Sequence, residues 1–168
     1  MKYTIEDNFD VSAEHYWKTF FDEEFNRALW PALDIVWEPI SLDRRGEGES
    51  LEITRVQKLA PRREVPALIK SFVKGGFSYT EKNEFKAREN KMRTVTTPSF
   101  MAEKITTNGI YRLEPLGPQR VKRIWEGTME VDIALVGGKV EKMLVEEIRE
   151  SYRKATDFTR KWHAAHPG

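Results

Sequence analysis

The stretch from Val131 to Ile148, VDIALVGGKVEKMLVEEI, changes its hydrophobic period at Gly137-Gly138. Apolar residues alternate before the two glycines, as in a half-buried strand, and recur every three or four positions after them, as on one face of a helix. Few folds are compatible with a long strand that passes directly into the longest helix of the chain. The glycines predict a sharp reversal with positive φ, which glycine adopts without steric cost. A phosphate-binding loop would need a G-x-G-x-x-G or Walker pattern, which is absent here and at Gly46-Glu47-Gly48.

Alternating apolar residues elsewhere predict a mainly antiparallel β protein with a few helices. The first strand covers residues 2 to 11. An apolar stripe after Ser12 then predicts one short helix, and a second, Asp22 to Ala28, is expected to end before Pro31. The remaining predicted strands are 35–43, 50–59, 77–85, 92–97, 104–114 and 120–135. The C-terminal helix, about 25 residues long, has an apolar face from Val140 to Trp162.

The pattern of these elements predicts the α+β class. A sheet of about seven strands with one apolar face must be covered, and the long helix is the largest cover that the chain offers. We therefore expect the sheet to curl round that helix. No linker, repeat or low-complexity run divides the 168 residues, so a single domain is expected over residues 1–168.

Charge and composition exclude several kinds of partner and site. Lys and Arg number 28 and Asp and Glu 27, and a net charge of +1 does not favour nucleic acid. The absence of cysteine excludes disulfides, thiolate metal ligands and thiol nucleophiles. The N-terminal sequence MKYTIEDNFD lacks the apolar core of a signal peptide, and no window approaches the ~18 apolar residues of a membrane span. We therefore expect a soluble, cytoplasmic protein.

Three stretches carry a resemblance to a known superfamily. They are KYTIEDNFDVSAEHYWKTFFDEEF at the start, VPALIKSFVKGG in the middle, and RIWEGTMEVDIALVGGKVEKMLVEEI across the strand-to-helix transition. With these stretches in this order, the chain resembles the START/Bet v 1-like (SRPBCC) superfamily over residues 2–165. Within it, the chain is similar to an uncharacterised bacterial family of the domain of unknown function 2505 type. The resemblance implies the helix-grip fold, in which a curved sheet wraps round the C-terminal helix, with a ligand cavity between the two.

No residues match a catalytic or metal-binding pattern. A nucleophilic triad needs a histidine base. His15 lies on the predicted surface of the first helix, and His163 and His166 fall near the end of the chain. None of the three histidines is expected to reach a pocket. The pair His163-x-x-His166 lacks the third protein ligand of a catalytic zinc site. We therefore expect no metal, no cofactor and no catalytic residue.

Two arginines fall at inward positions of predicted strands. Alternation puts Arg123 on the apolar face of its strand and Arg55 beside Ile53. Because an unpaired buried cation is costly, each arginine is expected either to pair with an internal carboxylate or to hold the acidic or polar head of a ligand. Pairing is the more ordinary of the two outcomes.

The other inward positions are apolar and aromatic with few polar groups, which is typical of a cavity for a hydrophobic small molecule. The predicted function is the binding of such a molecule, above all a lipid, for transport or sensing. The predicted contact residues are Trp37, Ile53, Arg55, Phe72, Phe77, Tyr79, Ile105, Tyr111, Arg123, Trp125, Met129, Met143, Leu144 and Ile148. The long segment 61–76, PRREVPALIKSFVKGG, is expected to close the entrance through Phe72 or to touch a membrane.

Two other functions stay open. Some relatives of the fold resemble cyclases, hydratases or hydroxylase domains, and such an enzyme would use Arg123, Tyr79 or Tyr111 with a carboxylate such as Glu81. A protein-interaction module would instead have a core filled by bulky side chains. Mutation of Arg123 would abolish turnover in an enzyme but only weaken binding in a carrier. A void in the structure would separate a carrier from a filled core.

Overall fold

The computed structural model describes all residues from 1 to 168. Its elements are β1 (Lys2–Phe9), α1 (Ala13–Phe20), α2 (Glu23–Ala32), β2 (Ile35–Arg45), β3 (Glu52–Pro61), α3 (Ala67–Lys70), β4 (Tyr79–Lys86), β5 (Lys91–Pro98), β6 (Ile105–Gly117), β7 (Arg120–Val131) and α4 (Gly137–Ala165). Single 3₁₀ turns at Gly48–Ser50 and Ala87–Glu89 lie in the β2–β3 and β4–β5 connections. The predicted α+β class, with two short helices after the first strand and a long C-terminal helix, is confirmed.

The seven strands form one antiparallel sheet in the order β1-β7-β6-β5-β4-β3-β2. Each strand from β2 to β6 pairs with the next along the chain, and β1 is added beside β7. The sheet curves, and α4 crosses its concave side in contact with β7, β1 and α2. This arrangement is the helix-grip fold, as the sequence predicts.

Helix α2 extends beyond its predicted end. It continues through Pro31 to Ala32, so the prediction that it stops before Pro31 is wrong. Pro31 lies in the last turn, where the missing N–H removes a single backbone hydrogen bond. The flanking Leu29 and Leu33 are both buried in a small apolar cluster, and this packing holds the last turn in place.

The connection from β7 to α4 differs from the prediction in two respects. Strand β7 ends at Val131 rather than Leu135, because its partner β6 begins at Ile105, opposite Val131, and beyond that pair only the Asp132 N–H still donates to a backbone carbonyl oxygen, that of Lys104. The residue with positive φ is Leu135, at 70°, and neither Gly137 nor Gly138 has positive φ. Gly137 is needed for another reason, since a Cβ atom there would lie 2.3 Å from the carbonyl oxygen of Val131. Gly138 has open space around the same position.

A pair of facing glycines shapes the concave side of the sheet. Gly109 on β6 lies opposite Gly127 on β7. A Cβ atom on Gly109 would lie 2.6 Å from Cη2 of Trp125, and one on Gly127 would lie 2.6 Å from Nε1 of the same ring and 2.5 Å from Cζ of Tyr3. The indole of Trp125 therefore rests directly over the glycine pair, close to the sheet backbone.

His163 is buried, although the sequence suggested a terminal tail. Helix α4 continues to Ala165, which places the ring of His163 within aromatic contact of Phe9, Tyr16 and His15, at centroid distances of 6.0, 5.9 and 5.4 Å. Neither ring nitrogen has a hydrogen-bond partner. Burial, with a smaller contribution from His15, lowers the pKa of His163 to about 4.

Most of the core lies between the sheet, α1 and α4. Nineteen buried side chains form one cluster there, and a second cluster of five lies under α2. None of the helices combines the length and the apolar composition needed to cross a bilayer.

Candidate ligand-binding cavity

A cavity of about 310 Å³ lies between the concave side of the sheet, the short helices α1 and α2, and the inner face of α4. Its volume is at the lower end of the ~300–1,000 Å³ found for small-molecule sites. Much of the wall is aromatic, formed by Tyr3, Tyr16, Phe20, Phe25, Trp30, Phe77, Tyr79, Phe100, Tyr111, Trp125 and Tyr152. The interior is therefore not filled by its own side chains.

Ten of the fourteen contact residues predicted from the sequence line this cavity. They are Arg55, Phe77, Tyr79, Ile105, Tyr111, Arg123, Trp125, Met129, Leu144 and Ile148. Alternation along the strands and the helical spacing in α4 gave the inward face for nine of them, and Phe77 lies just before β4, which begins at Tyr79. Contact between these residues and a ligand stays a prediction.

The other four predicted residues lie outside the cavity wall. Ile53 faces inward but is packed within the main core. Trp37 is near the edge of the sheet, where its Nε1 donates to Oε1 of Gln57 at 2.9 Å. Phe72 is 40% exposed, and Met143 packs against the core beside the cavity. For Trp37, Ile53 and Met143, periodicity assigns a face of the element but not a depth along it, and Phe72 lies in the segment between α3 and β4.

The short helices supply wall residues that are not among those predicted from the sequence. Tyr16 and Phe20 of α1 and Phe25, Leu29 and Trp30 of α2 all line the cavity. The apolar stripe of α1 was the available signal. A stripe that faces a void has the same spacing as a stripe that faces packed side chains, so the pattern alone could not distinguish the two.

A polar band crosses the concave side of the sheet, contrary to the expectation of few inward polar groups. In the strand register it consists of two adjacent rows, Arg55, Asn83 and Thr94 in one and Gln57, Glu81, Thr96 and Thr107 in the other. Arg55, Glu81 and the three threonines line the cavity. The floor is therefore amphipathic rather than uniformly apolar.

Arg55 is held by groups of the protein. Its Nε donates to Oδ1 of Asn83 at 2.8 Å and its Nη1 donates to the carbonyl oxygen of Phe20 at 3.3 Å. The guanidinium also lies over the rings of Phe20 and Phe21, 4.8 and 5.1 Å from their centroids. Burial lowers the pKa of Arg55 to about 10, although Glu81 opposes this effect, so the side chain stays charged at neutral pH.

Arg123 is likewise occupied. It is 2% exposed, forms an ion pair with Asp7 on the neighbouring strand, and donates from Nη2 to Oγ1 of Thr156 at 2.6 Å. Its guanidinium lies 5.1 Å from the ring centroids of both Phe9 and Tyr152. Of the two outcomes that the sequence left open, pairing with an internal carboxylate is the one observed for Arg123.

Three tyrosines of the cavity wall are protonated near neutral pH. Burial raises the pKa of Tyr79, Tyr111 and Tyr152 above the usual range, and the charge of Glu81 adds to the effect at Tyr79. The hydroxyls of Tyr111 and Tyr16 are hydrogen-bonded to each other at 2.8 Å. These rings therefore provide apolar surface and hydroxyl groups rather than a general base.

One side of the cavity is covered by the segment between β3 and β4. Val65 and Ile69 of this segment line the cavity, and Ile69 is buried. Arg63 joins the segment to α4 through an ion pair with Glu147 and a hydrogen bond of 3.3 Å from its Nη2 to Oγ of Ser151. Ion pairing between exposed side chains contributes little to stability, so this connection can open at small cost.

Several solved structures share this fold. A START superfamily protein from Mycobacterium smegmatis has a TM-score of 0.60 and 16% identity, with 96% of this chain and 97% of that chain covered. The Zhui aromatase/cyclase from Streptomyces has a TM-score of 0.61 and 11% identity, covering 99% and 98% of the two chains. Norcoclaurine synthase from Thalictrum flavum, in complex with dopamine and hydroxybenzaldehyde, has a TM-score of 0.58 and 14% identity, covering 100% and 88%. Similarity at this level of identity shows a shared START-like fold, and an activity does not follow from it.

The family is shown by sequence. The model of the family described as "Protein of unknown function (DUF2505)" matches residues 4–162, so the chain belongs to that family. A search of curated proteins gives no match.

Proposed function

We propose that the protein binds a small, largely hydrophobic molecule, of lipid or aromatic character, in the cavity between the sheet and α4. The observation that carries this proposal is the void of about 310 Å³ in a mainly aromatic interior. A void of this size deprives the surrounding side chains of packing contacts, and a molecule that fills it restores them.

The same void argues against the filled-core alternative. A domain whose only role was to present a surface would gain stability from larger side chains at such positions, because cavities cost free energy in proportion to their volume. The START-like fold of the solved relatives also supports a ligand-binding role.

A cavity-filling substitution tests the proposal. Ala155 of α4 lines the cavity, whereas the adjacent Lys154 is exposed. We expect Ala155→Phe to abolish binding of a fluorescent hydrophobic probe such as 1-anilinonaphthalene, and the control Lys154→Phe to retain it. Native mass spectrometry of the protein purified from its own host is expected to show a retained small molecule that Ala155→Phe lacks. Equal probe binding by the two variants, or no retained molecule and no probe binding by the wild type, would count against the proposal.

We also propose that the ligand is exchanged at an anionic membrane surface. Leu68 and Phe72, 37% and 40% exposed, lie in the segment that covers the cavity, with Lys70 and Lys74 beside them. Leu135, which is fully exposed, lies in the β7–α4 connection. Exposed apolar side chains next to lysines favour anionic lipid surfaces.

The β3–β4 and β7–α4 connections both lie beside the β5–β6 connection. The rings of Phe77 and Phe100 are 5.5 Å apart, and Asp132 N–H donates to the carbonyl oxygen of Lys104 at 2.8 Å. We expect wild-type protein to sediment with vesicles that contain phosphatidylserine. Phe72→Asp is expected to reduce this binding, whereas Leu42→Asp, a comparably exposed residue on the edge strand β2, is not. Equal sedimentation of both variants would contradict the assignment of the surface.

A further inference from the structure

We propose that Glu81 is the polar anchor of the cavity, and that the ligand carries a hydrogen-bond donor, a hydroxyl or an amine, which binds this carboxylate. The inference rests on the proposed function and specifies the chemistry of its ligand. It follows from the single free oxygen of this carboxylate, because the other unpaired polar atoms of the wall, on Tyr3, Trp125 and Arg123, are not carboxylate oxygens.

The two cationic side chains in the wall do not offer a site for an acidic head group. Arg55 donates to Asn83 and to the carbonyl oxygen of Phe20, and Arg123 donates from Nη2 to Asp7 and Thr156, while its buried Nε has no partner. A ligand carboxylate that replaced the partners of these donors would leave buried groups unpaired, which is costly, and the charge of Arg123 is already balanced by Asp7. The arginines therefore position other side chains rather than the ligand.

Only one of the two carboxylate oxygens of Glu81 is hydrogen-bonded within the protein. Its Oε1 accepts hydrogen bonds from Nε2 of Gln57 at 3.1 Å and from Nδ2 of Asn83 at 3.0 Å, and lies 4.0 Å from Nη2 of Arg55. Its Oε2 accepts no hydrogen bond from any protein group. A carboxylate can accept about four hydrogen bonds, and one that lines a largely apolar cavity is stabilised when its free oxygen acquires a donor.

The surroundings of Glu81 fix its position in advance. Gln57 and Asn83 are fully buried, and Asn83 also donates to Oγ1 of Thr94 at 3.0 Å, so the support of the carboxylate is part of a continuous network. A carboxylate held in this way binds a donor without first losing side-chain freedom, which favours affinity. The charge of Glu81 in turn disfavours an anionic ligand end at the same place.

The rest of the row defines an amphipathic ligand. From Glu81 the row passes through Thr96 and Thr107 to Met129 on β7, and Leu144 and Ile148 of α4 also line the cavity. The hydroxyls of the two threonines can assist the polar end, while the remaining contacts are apolar. A compact hydrophobic body with a single donating group satisfies both parts of the cavity.

Three probes of nearly the same shape test the inference by isothermal titration calorimetry. 2-Naphthol carries a donor, 2-methoxynaphthalene carries only an acceptor, and 2-naphthoate carries a negative charge. We expect 2-naphthol to bind wild-type protein about tenfold or more tightly than either of the others, since a hydrogen bond to a charged group is worth about 1.5–3 kcal/mol.

The variant Glu81→Gln keeps the shape of the side chain and removes its charge. It is expected to lose most of the preference for 2-naphthol and to bind 2-naphthoate more tightly than wild-type protein does. Unchanged affinity for 2-methoxynaphthalene would show that the cavity is intact in the variant. Glu84→Gln is the matched control, because Glu84 lies on the same strand with its carboxylate on the outer side, near Lys82 and Arg93.

The possible outcomes test the role of Glu81 separately from the binding function of the cavity. Equal binding of all three probes by wild-type protein, or an unchanged 2-naphthol preference in Glu81→Gln, would overturn the role of Glu81 and leave the ligand-binding function standing. Failure of all three probes to bind wild-type protein would overturn both.

Discussion

Replacement of His163 by phenylalanine is expected to remove an acid-dependent loss of stability. His163 is 7% exposed and its pKa is about 4 in the folded protein, compared with ~6.5 in an unfolded chain. Between these two values the unfolded chain binds a proton that the folded protein does not. The free energy of unfolding therefore decreases as the pH falls from about 6.5 to about 4, and the stabilisation is complete above pH 6.5.

The difference between the two pKa values corresponds to about 3 kcal/mol, because each tenfold change in proton affinity is worth ~1.4 kcal/mol. Solvent near the end of α4 screens the charge and reduces this to about 2 kcal/mol. The variant His163→Phe has no proton to bind. It also removes two ring nitrogens that lack partners, so it is expected to be at least as stable as wild-type protein at neutral pH.

The measurement is urea unfolding followed by circular dichroism, from about pH 7.5 to about pH 4.5. The control is His166→Phe, in which an exposed histidine is replaced. Wild-type protein and the two variants have the same carboxylates, so the contributions of these groups to the pH dependence of stability cancel when the three proteins are compared. We expect His163→Phe to gain about 2 kcal/mol relative to wild type at the acid end, and His166→Phe to follow the wild type. Parallel curves for wild type and His163→Phe would refute the reasoning.

Three further predictions concern stability and ligand exchange. Gly137→Ala is expected to destabilise the protein by about 2 kcal/mol, because the added methyl group clashes with a backbone carbonyl. Gly138→Ala is expected to be neutral or to stabilise the protein by about 0.5 kcal/mol. Equal effects of the two variants in urea unfolding would contradict this. Asp7→Asn leaves the buried Arg123 without its counter-charge and is expected to cost about 3 kcal/mol in the same assay, and a loss below about 1 kcal/mol would show that the pair is unimportant. Arg63→Ala, which removes the ion pair between the covering segment and α4, is expected to speed release of a bound probe in stopped-flow measurements while changing stability by less than about 0.5 kcal/mol. An unchanged release rate would show that the segment does not limit exchange.

The fold could be predicted from the sequence because its longest elements carry strong periodic patterns. The alternation in β7 and the helical spacing in α4 identify both elements and the faces that meet. The incorrect predictions concern the ends of helices and strands, because the end of an element depends on the element that packs or pairs beside it. Leu135 continues the apolar pattern of β7, but the strand stops at Val131, opposite the first residue of β6, and a single backbone hydrogen bond from Asp132 to Lys104 follows. The burial of His163 depends in the same way on α1 packing beside the end of α4, which a one-dimensional pattern does not contain.

The cavity was predictable in outline and not in chemistry. Alternation on β4 that places Tyr79 inward also places Glu81 and Asn83 on the same face, so the sequence did contain a signal for the polar band. What it lacked was the hydrogen bonding between strands. Only the register shows that Glu81 lies beside Gln57 and Thr96, and that Arg55 is satisfied by groups on its neighbours.

The facing glycines Gly109 and Gly127 have a consequence for how this protein could be adapted to a different guest. The indole of Trp125 occupies the volume that their Cβ atoms would need. A methyl group added at Gly127 would push the indole, together with the ring of Tyr3, away from the strands, whereas one added at Gly109 would also meet the backbone carbonyl oxygen of Glu126 at 2.6 Å. The volume available to a bound molecule can thus be changed by a mutation at a position that the molecule would not touch. The addition of one methyl group there moves a tryptophan side chain.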